Sequence, residues 1–171
     1  MPANVEIKAR IDSIDDFLPR ARALAEEDES PQLIHQDDTF FKVPNGRLKL
    51  RVFSDGAGEL IHYHRPDAEG PKVSDYVITP AADPDTLREA LERACGVLGR
   101  VVKHRILVLA GQTRIHLDHV EGLGDFLELE VVLREGQTED EGTAIARGLL
   151  DALGVPPTAL ISGAYLDLLA K

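Results

Sequence analysis

The sequence predicts an α+β fold, an eight-stranded antiparallel β-barrel with peripheral α-helices, on three observations. Charged residues recur at every second position in three segments: Glu6, Lys8 and Arg10 beside Asn4; Arg47, Lys49 and Arg51; Glu128 and Glu130. Because strand side chains alternate faces, each set shares one side, while Val5, Ile7, Leu48, Leu50, Leu127 and Leu129 line the other. Short turn signals join successive candidate strands, as in a meander that closes on itself. A sandwich would need apolar facing sides, and the charged sides here are too polar for a packed core. A barrel whose apolar side meets helices and whose charged side surrounds a wet interior satisfies both faces.

The first strand spans roughly residues 3 to 11. Asp12 or Ser13 then caps a helix carrying Ile14, Phe17, Leu18, Ala21, Leu24 and Ala25, with Pro19 in or near its first turn. Strands follow near 37 to 43, 47 to 54 and 58 to 65, separated by Pro44-Asn45-Gly46 and Asp55-Gly56-Ala57-Gly58. Another runs from Val73 to Thr79, and Asp83-Pro84 opens a helix with Leu87, Ala90, Leu91, Ala94 and Cys95 on one face. Strands near 100 to 109, 113 to 120 and 125 to 134 flank Gly111-Gln112 and Gly122-Leu123-Gly124. Two helices close the chain, over 138 to 153 and 158 to 169, separated by Gly154 and Pro156-Pro157.

At 171 residues, with no Pro/Gly/Ser-rich linker, one domain over 1–171 is the expectation. No apolar stretch approaches a membrane span, and the opening MPANVEIKAR lacks the apolar core of a signal peptide, so a cytoplasmic protein without a membrane partner is expected. Cys95, the single cysteine, falls among apolar helix positions and reads as a small packing residue. A net charge of −11 argues against a nucleic-acid partner, which needs an outward basic surface.

Eight basic residues nonetheless fall in candidate strands: Lys8, Arg10, Arg47, Lys49, Arg51, Lys103, Arg105 and Arg114. The acidic excess collects in runs such as Glu26-Glu27-Asp28-Glu29 and Glu139-Asp140-Glu141. An acidic exterior around a basic interior favours an anionic small molecule as ligand. Crowded buried cations need an anion, since each unpaired buried ion costs several kcal/mol, roughly its desolvation penalty. Glu6, Asp118, Glu128 and Glu130 supply part of the balance and are also suited to a divalent metal. A triphosphate chelated to Mg²⁺ or Mn²⁺ completes both halves, with arginines gripping phosphoryl oxygens bidentately. Taken alone, any one Lys-x-Arg is more often the solvated side of an antiparallel sheet; the joint pattern carries the reading. The six histidines lack zinc-site spacing, and Gly122-Leu123-Gly124 leads into a strand, so zinc sites and phosphate-binding glycine loops are disfavoured.

These residues resemble the CYTH family of triphosphate tunnel metalloenzymes, which includes class IV adenylate cyclases and thiamine triphosphatases. The likeness runs through Val5-Glu6-Ile7-Lys8, Asp38-Thr39-Phe40-Phe41, Arg47-Leu48-Lys49-Leu50-Arg51, Lys103-His104-Arg105, and Arg114 through Asp118 on to Glu128-Leu129-Glu130. Asp118-His119-Val120-Glu121-Gly122-Leu123-Gly124-Asp125-Phe126 looks more like the cyclase branch than the inorganic triphosphatases. The resemblance implies a tunnel in which Lys8, Lys49, Arg51, Lys103, Arg105 and Arg114 hold the triphosphate. Glu6, Glu128 and Glu130 would bind Mg²⁺ or Mn²⁺ with Asp118 assisting. Arg10, Arg47 and Arg65 complete the substrate-binding candidates, Arg65 because His64-Arg65 lies where related sequences usually offer a lysine. Turnover is expected to depend on Lys8, Arg51 and Glu130. Asn4 stands at the first glutamate of the signature and replaces a charged ligand with a neutral carbonyl oxygen. The leading expectation is a cyclase making cyclic AMP and pyrophosphate from ATP. The alternatives are hydrolysis of thiamine triphosphate or tripolyphosphate, and a module that binds a nucleotide or polyphosphate without turnover. A homodimer is left open.

Overall fold

The computed structural model describes residues 3–26, 31–64 and 70–170. In chain order, β1 (Ala3–Arg10), α1 (Ile14–Leu24), β2 (Gln32–Phe41), β3 (Arg47–Phe53), β4 (Gly58–His64) and β5 (Lys72–Ala81) precede α2 (Pro84–Cys95). Then come β6 (Val97–Ala110), β7 (Thr113–Val120), β8 (Gly124–Val132), α3 (Glu139–Leu153), a 3₁₀ turn (Pro157–Ala159), β9 (Leu160–Ile161) and α4 (Tyr165–Leu169). The strands pair antiparallel in the order β5-β4-β3-β2-β6-β7-β8-β1, and β1 pairs with β5 to close the ring. The predicted eight-stranded barrel is therefore the fold.

Each helix begins where its sequence supplies a cap. Ser13 accepts from the Asp15 amide, Asp83 accepts from the Thr86 amide ahead of Pro84, and Thr138 with Glu141 forms a reciprocal capping box. The main core lies outside the barrel wall. Val5, Ile7, Ala9, Ile115, Leu117, Leu127, Leu129 and Val131 pack against Ala21 of α1 and Ala146, Leu150 and Leu153 of α3. A Cβ at Gly142 would stand 2.6 Å from Leu133 and 2.8 Å from Val5, so α3 approaches the wall through a residue with no side chain. α2 covers the opposite flank, where Leu87, Leu91 and Cys95 pack on Phe41, Leu50 and Ala81.

The last segment differs from the helix expected over 158 to 169. β5 leaves β1 after Glu6, and β9 takes up the same edge at Lys8 and Ala9, so Leu160 and Ile161 satisfy backbone groups that a helix would leave open. Gly163, at φ 83°, then turns the chain into the short α4. Pro19 sits inside α1 and not at its start. No helix among the described residues is long and apolar enough to cross a membrane.

Candidate functional site: a charged barrel lumen

The alternation of every strand points the same residues inward. One cavity of about 370 Å³ is lined by Glu6 and Lys8 of β1, Asp38 of β2, Lys49 and Arg51 of β3, and Glu59 of β4. Lys103 and Arg105 of β6, Arg114 and His116 of β7, and Glu128 and Glu130 of β8 complete its charged lining. In a closed ring of eight strands, those four steps apart face each other. By the observed order, β3 with Lys49 and Arg51 stands across from β8 with Glu128 and Glu130. The lumen thus has a cationic wall and an acidic wall.

Asp38 is the hub of the cationic wall. It is fully buried, and Arg51 grips it at two points, Nε to Oδ1 at 2.8 Å and Nη2 to Oδ2 at 2.9 Å. Lys103 Nζ stands 3.2 Å and Lys49 Nζ 3.6 Å from Oδ2. Burial alone would raise the Asp38 carboxyl, but Lys103, Arg51 and Lys49 hold it well below the usual carboxylate range. The lysines are affected in the opposite sense. Burial, reinforced by Arg51, lowers the Lys49 ammonium well below its ordinary value, and burial lowers Lys103 to about 8 despite Asp38. Three basic groups thus share one carboxylate, with room in the cavity for a further anion.

The acidic wall is built from β1, β7 and β8. Their register sets Glu6 opposite Glu130, Lys8 opposite Glu128, Arg114 opposite Glu130, and His116 opposite Glu128. Lys8 Nζ lies 3.6 Å from Glu128 Oε2, and Arg114 Nε donates to Glu130 Oε1 at 2.7 Å. Burial disfavours charge on Glu128, yet His116, Lys8 and Arg105 keep its carboxyl well below the usual range. For Arg114, burial opposes the charge and Glu130 and Tyr76 restore it, leaving the guanidinium more basic than usual. One donor atom each from His116, Glu128 and Glu130 can be chosen so that all lie within 4.8 Å. His116 Nδ1 is buried without a hydrogen-bond partner, as are Asn4 Oδ1 and Gln36 Oε1, which also belong to cavity-lining residues. Oxygen-rich donors with an unpartnered buried nitrogen among them fit a divalent metal.

One end of the lumen is covered by α4. Tyr165 enters it, donating its hydroxyl to Asp118 Oδ2 at 2.8 Å, with its ring centroid 3.8 Å from Lys8 Nζ and 5.0 Å from the Phe126 ring. Arg105 grips Asp118 at 2.7 and 2.8 Å. Burial would raise the Asp118 carboxyl, but Arg105 lowers it to about 2. Burial also works against the Arg105 charge, and Asp118 and Glu128 overcome it, raising that guanidinium further. Arg47 binds Asp167, whose carboxylate accepts from the Ala164 amide at the start of α4. Exposure rises away from this plug: the Arg105 side chain is 8% exposed and Arg114 39%, so the Arg114 end faces solvent.

The CYTH domain model matches residues 2–165, nearly the whole chain. The chain belongs to the CYTH family. No curated protein matches it in sequence. Among solved structures, the Pyrococcus horikoshii OT3 protein PH1012 superposes with a TM-score of 0.84 at 23% identity, covering 96% of this chain and 98% of that one. A Vibrio parahaemolyticus protein described as a candidate adenylate cyclase gives 0.78 at 18% identity, covering 98% of each. The S. pombe Pct1 RNA triphosphatase, solved with the Spt5 CTD, gives 0.51 at 12% identity, covering 90% of this chain and 84% of that one. At these identities the likeness is one of fold.

In this CYTH barrel, Lys8, Lys49, Arg51, Lys103, Arg105 and Arg114 come together in the lumen with Glu6, Glu128 and Glu130. Three other expected site residues do not join them. Arg10 lies where β1 leaves the barrel, exposed, with its guanidinium 4.7 Å from the Phe126 ring centroid. Arg47 anchors α4 through Asp167. Asp118 does not line the cavity, and Arg105 and Tyr165 occupy both of its oxygens. Arg65 lies outside the described residues. Asp38, His116 and Tyr165 were missed as site residues. For Asp38 a signal was present, since Ile34, Gln36, Asp38 and Phe40 share one strand face and all reach the lumen.

Proposed function

We propose that this CYTH protein is a divalent-metal-dependent enzyme acting on an organic triphosphate, of the class IV adenylate cyclase type, converting ATP to cyclic AMP and pyrophosphate. The observation that carries the reading is the opposition of charge across one cavity: Lys49 and Arg51 of β3, with Lys103 drawn to the same Asp38, stand across from Glu128 and Glu130 of β8. The cationic wall would take the phosphoryl oxygens, Arg51 and Arg105 by paired N–H groups and the lysines as point charges. Glu6, Glu128 and Glu130 would hold Mg²⁺ or Mn²⁺. The bound ion supplies positive charge against the phosphate oxygens as negative charge shifts toward the leaving group.

The rest follows from the chain's own side chains. In cyclisation the ribose 3′-hydroxyl oxygen forms a bond to the α-phosphorus and gives up its proton to solvent, the bond from that phosphorus to its bridging oxygen breaks, and pyrophosphate leaves with the electron pair. Lys49, Arg51 and Lys103 are fixed before substrate arrives, so their charge meets the leaving oxygens without rearrangement. Next inward-facing after Arg51 and Arg105 come Phe53 and Leu107, and Ile34 follows Gln36 on β2. These form an apolar margin beyond the cations that suits a nucleobase and gives bare tripolyphosphate nothing to bind. Neutral Asn4, at the first signature position, offers no carboxylate to activate water, which favours cyclisation over hydrolysis.

Purified protein incubated with ATP, thiamine triphosphate or tripolyphosphate, each with Mg²⁺ or Mn²⁺, tests the proposal. Cyclic AMP with equimolar pyrophosphate is expected from ATP. Free phosphate instead would make the protein a triphosphatase, and ligand-induced thermal stabilisation without product would make it a binding module. Failure to bind any of the three would overturn the site.

A further inference from the structure

We propose that His116 is itself a metal ligand, so that the acidic wall is a mixed imidazole–carboxylate site that takes Mn²⁺ in preference to Mg²⁺. The inference rests on the metal-dependent reading above and adds a ligand that carboxylate counting leaves out. His116 is 4% exposed and lines the cavity, and its Nδ1 has no hydrogen-bond partner. Its neighbour Glu128 is too distant for a well-formed hydrogen bond, so this buried ring nitrogen is poorly satisfied in the empty lumen. What faces it is Glu128. Oε2 of that carboxylate is directed to Lys8, whereas Oε1 stands 3.5 Å from His116 Nδ1. That separation is long for a made hydrogen bond, and two ligand atoms each about 2.2 Å from one octahedral ion at a right angle stand about 3.1 Å apart, a spacing that a few tenths of an ångström of side-chain movement reaches. Glu130, two residues along the same face of β8, brings its oxygen within 4.8 Å of both, a gap that side-chain rotation closes.

The strand register makes the arrangement structural. His116 and Glu128 are direct partners on β7 and β8, and Arg114 and Glu130 are the next pair inward-facing on the same two strands. A nitrogen donor changes which ion fits. Mg²⁺ holds to oxygen ligands and octahedral geometry, whereas Mn²⁺ accepts imidazole and lies above Mg²⁺ in affinity for such mixed donors.

Mn²⁺ binding to chelator-stripped protein, followed by electron paramagnetic resonance, tests this without reference to turnover. Pulsed spectra of bound Mn²⁺ should show coupling to a directly ligated imidazole nitrogen. In His116→Gln that coupling should vanish and Mn²⁺ affinity should fall by about tenfold or more, with a smaller change in Mg²⁺ affinity measured by competition. Glu128→Gln keeps the test decisive if His116→Gln does not fold. Nitrogen-coupled Mn²⁺ whose affinity falls with the loss of that carboxylate must sit beside His116, the one histidine among the described residues lining the cavity. Bound Mn²⁺ without nitrogen coupling, or coupling that survives His116→Gln, would overturn the inference and leave the metal-dependent reading intact. No Mn²⁺ binding, with or without tripolyphosphate, would overturn both.

Discussion

Asp38 and Arg51 are direct cross-strand partners on β2 and β3, and their side chains close a two-point ion pair inside the barrel. The pair is not balanced locally, because Lys49 and Lys103 approach the same carboxylate. Asp38 is therefore the counter-ion that lets the cationic wall exist before any ligand is bound.

Asp38→Asn should destabilise the empty protein by about 3–5 kcal/mol, the cost typical of leaving buried charge without its partner. Saturating tripolyphosphate should return much of that loss, since it supplies the missing anion to the same three groups. Thermal unfolding with and without ligand measures both effects. A variant as stable as the parent without ligand would mean that the basic groups are neutral or solvated and that Asp38 is no hub.

The same crowding makes ligand binding depend on pH. Lys103 is lowered to about 8 in the empty lumen, and a polyanion favours its charged form. Binding should therefore take up protons near pH 8, with affinity greatest below that value and declining as pH rises through it. The empty protein should do the reverse. With its folded value below the ordinary 10.5, Lys103 lets the unfolded chain bind more protons across that window, so stability rises with pH there. Titration calorimetry in two buffers of different ionisation enthalpy reads the proton uptake directly, and equal heats in the two would refute it.

Acid should act at Asp118, beside the Tyr165 plug. The Asp118 carboxyl lies at about 2 against an ordinary 3.8, held there by Arg105. A group lowered in this way contributes stability that is complete above its unfolded value and is lost as pH falls toward its folded one. The shift corresponds to about 2 kcal/mol, lost between about pH 5 and pH 2. Urea unfolding across that range should show the decline in the parent, while Asp118→Asn should start less stable at neutral pH and fall less steeply. Parallel pH profiles for the two would place the acid lability elsewhere.

How much of this was legible in the sequence follows from what alternation can report. In β1, β3 and β8 charges sit two apart, so strand, phase and inward face were all readable from Glu6, Lys8, Lys49, Arg51, Glu128 and Glu130. Asp38 shares its face with Ile34, Gln36 and Phe40, so its inward phase was readable from alternation, but with no charged same-face neighbour its part as counter-ion was not. Alternation also does not say where a strand runs beyond the cavity. Arg10 and Arg47 are in phase with their neighbours but lie past the cover, one against Phe126 and the other on Asp167. The helix of the cover was legible, since α4 falls within the helix expected over 158 to 169, but β9 was hidden, because it forms only where β5 leaves an edge of β1 open, a tertiary circumstance that overrides helix propensity.

Tyr165 separates two roles of that cover. Its hydroxyl adds one hydrogen bond to Asp118, already gripped twice by Arg105, so Tyr165→Phe should cost about 1–2 kcal/mol and leave turnover nearly unchanged. Its ring closes the lumen against Lys8 and Phe126, so Tyr165→Ala should cost about 3–5 kcal/mol and admit water beside Lys8. With water there, the phosphate-binding charges are screened more strongly and triphosphate affinity should fall with a steeper dependence on salt. Comparing the KM of the two variants at low and high ionic strength distinguishes packing from hydrogen bonding. A Phe variant as impaired as the Ala variant would show that the hydroxyl, and not the closed end, is what the site requires.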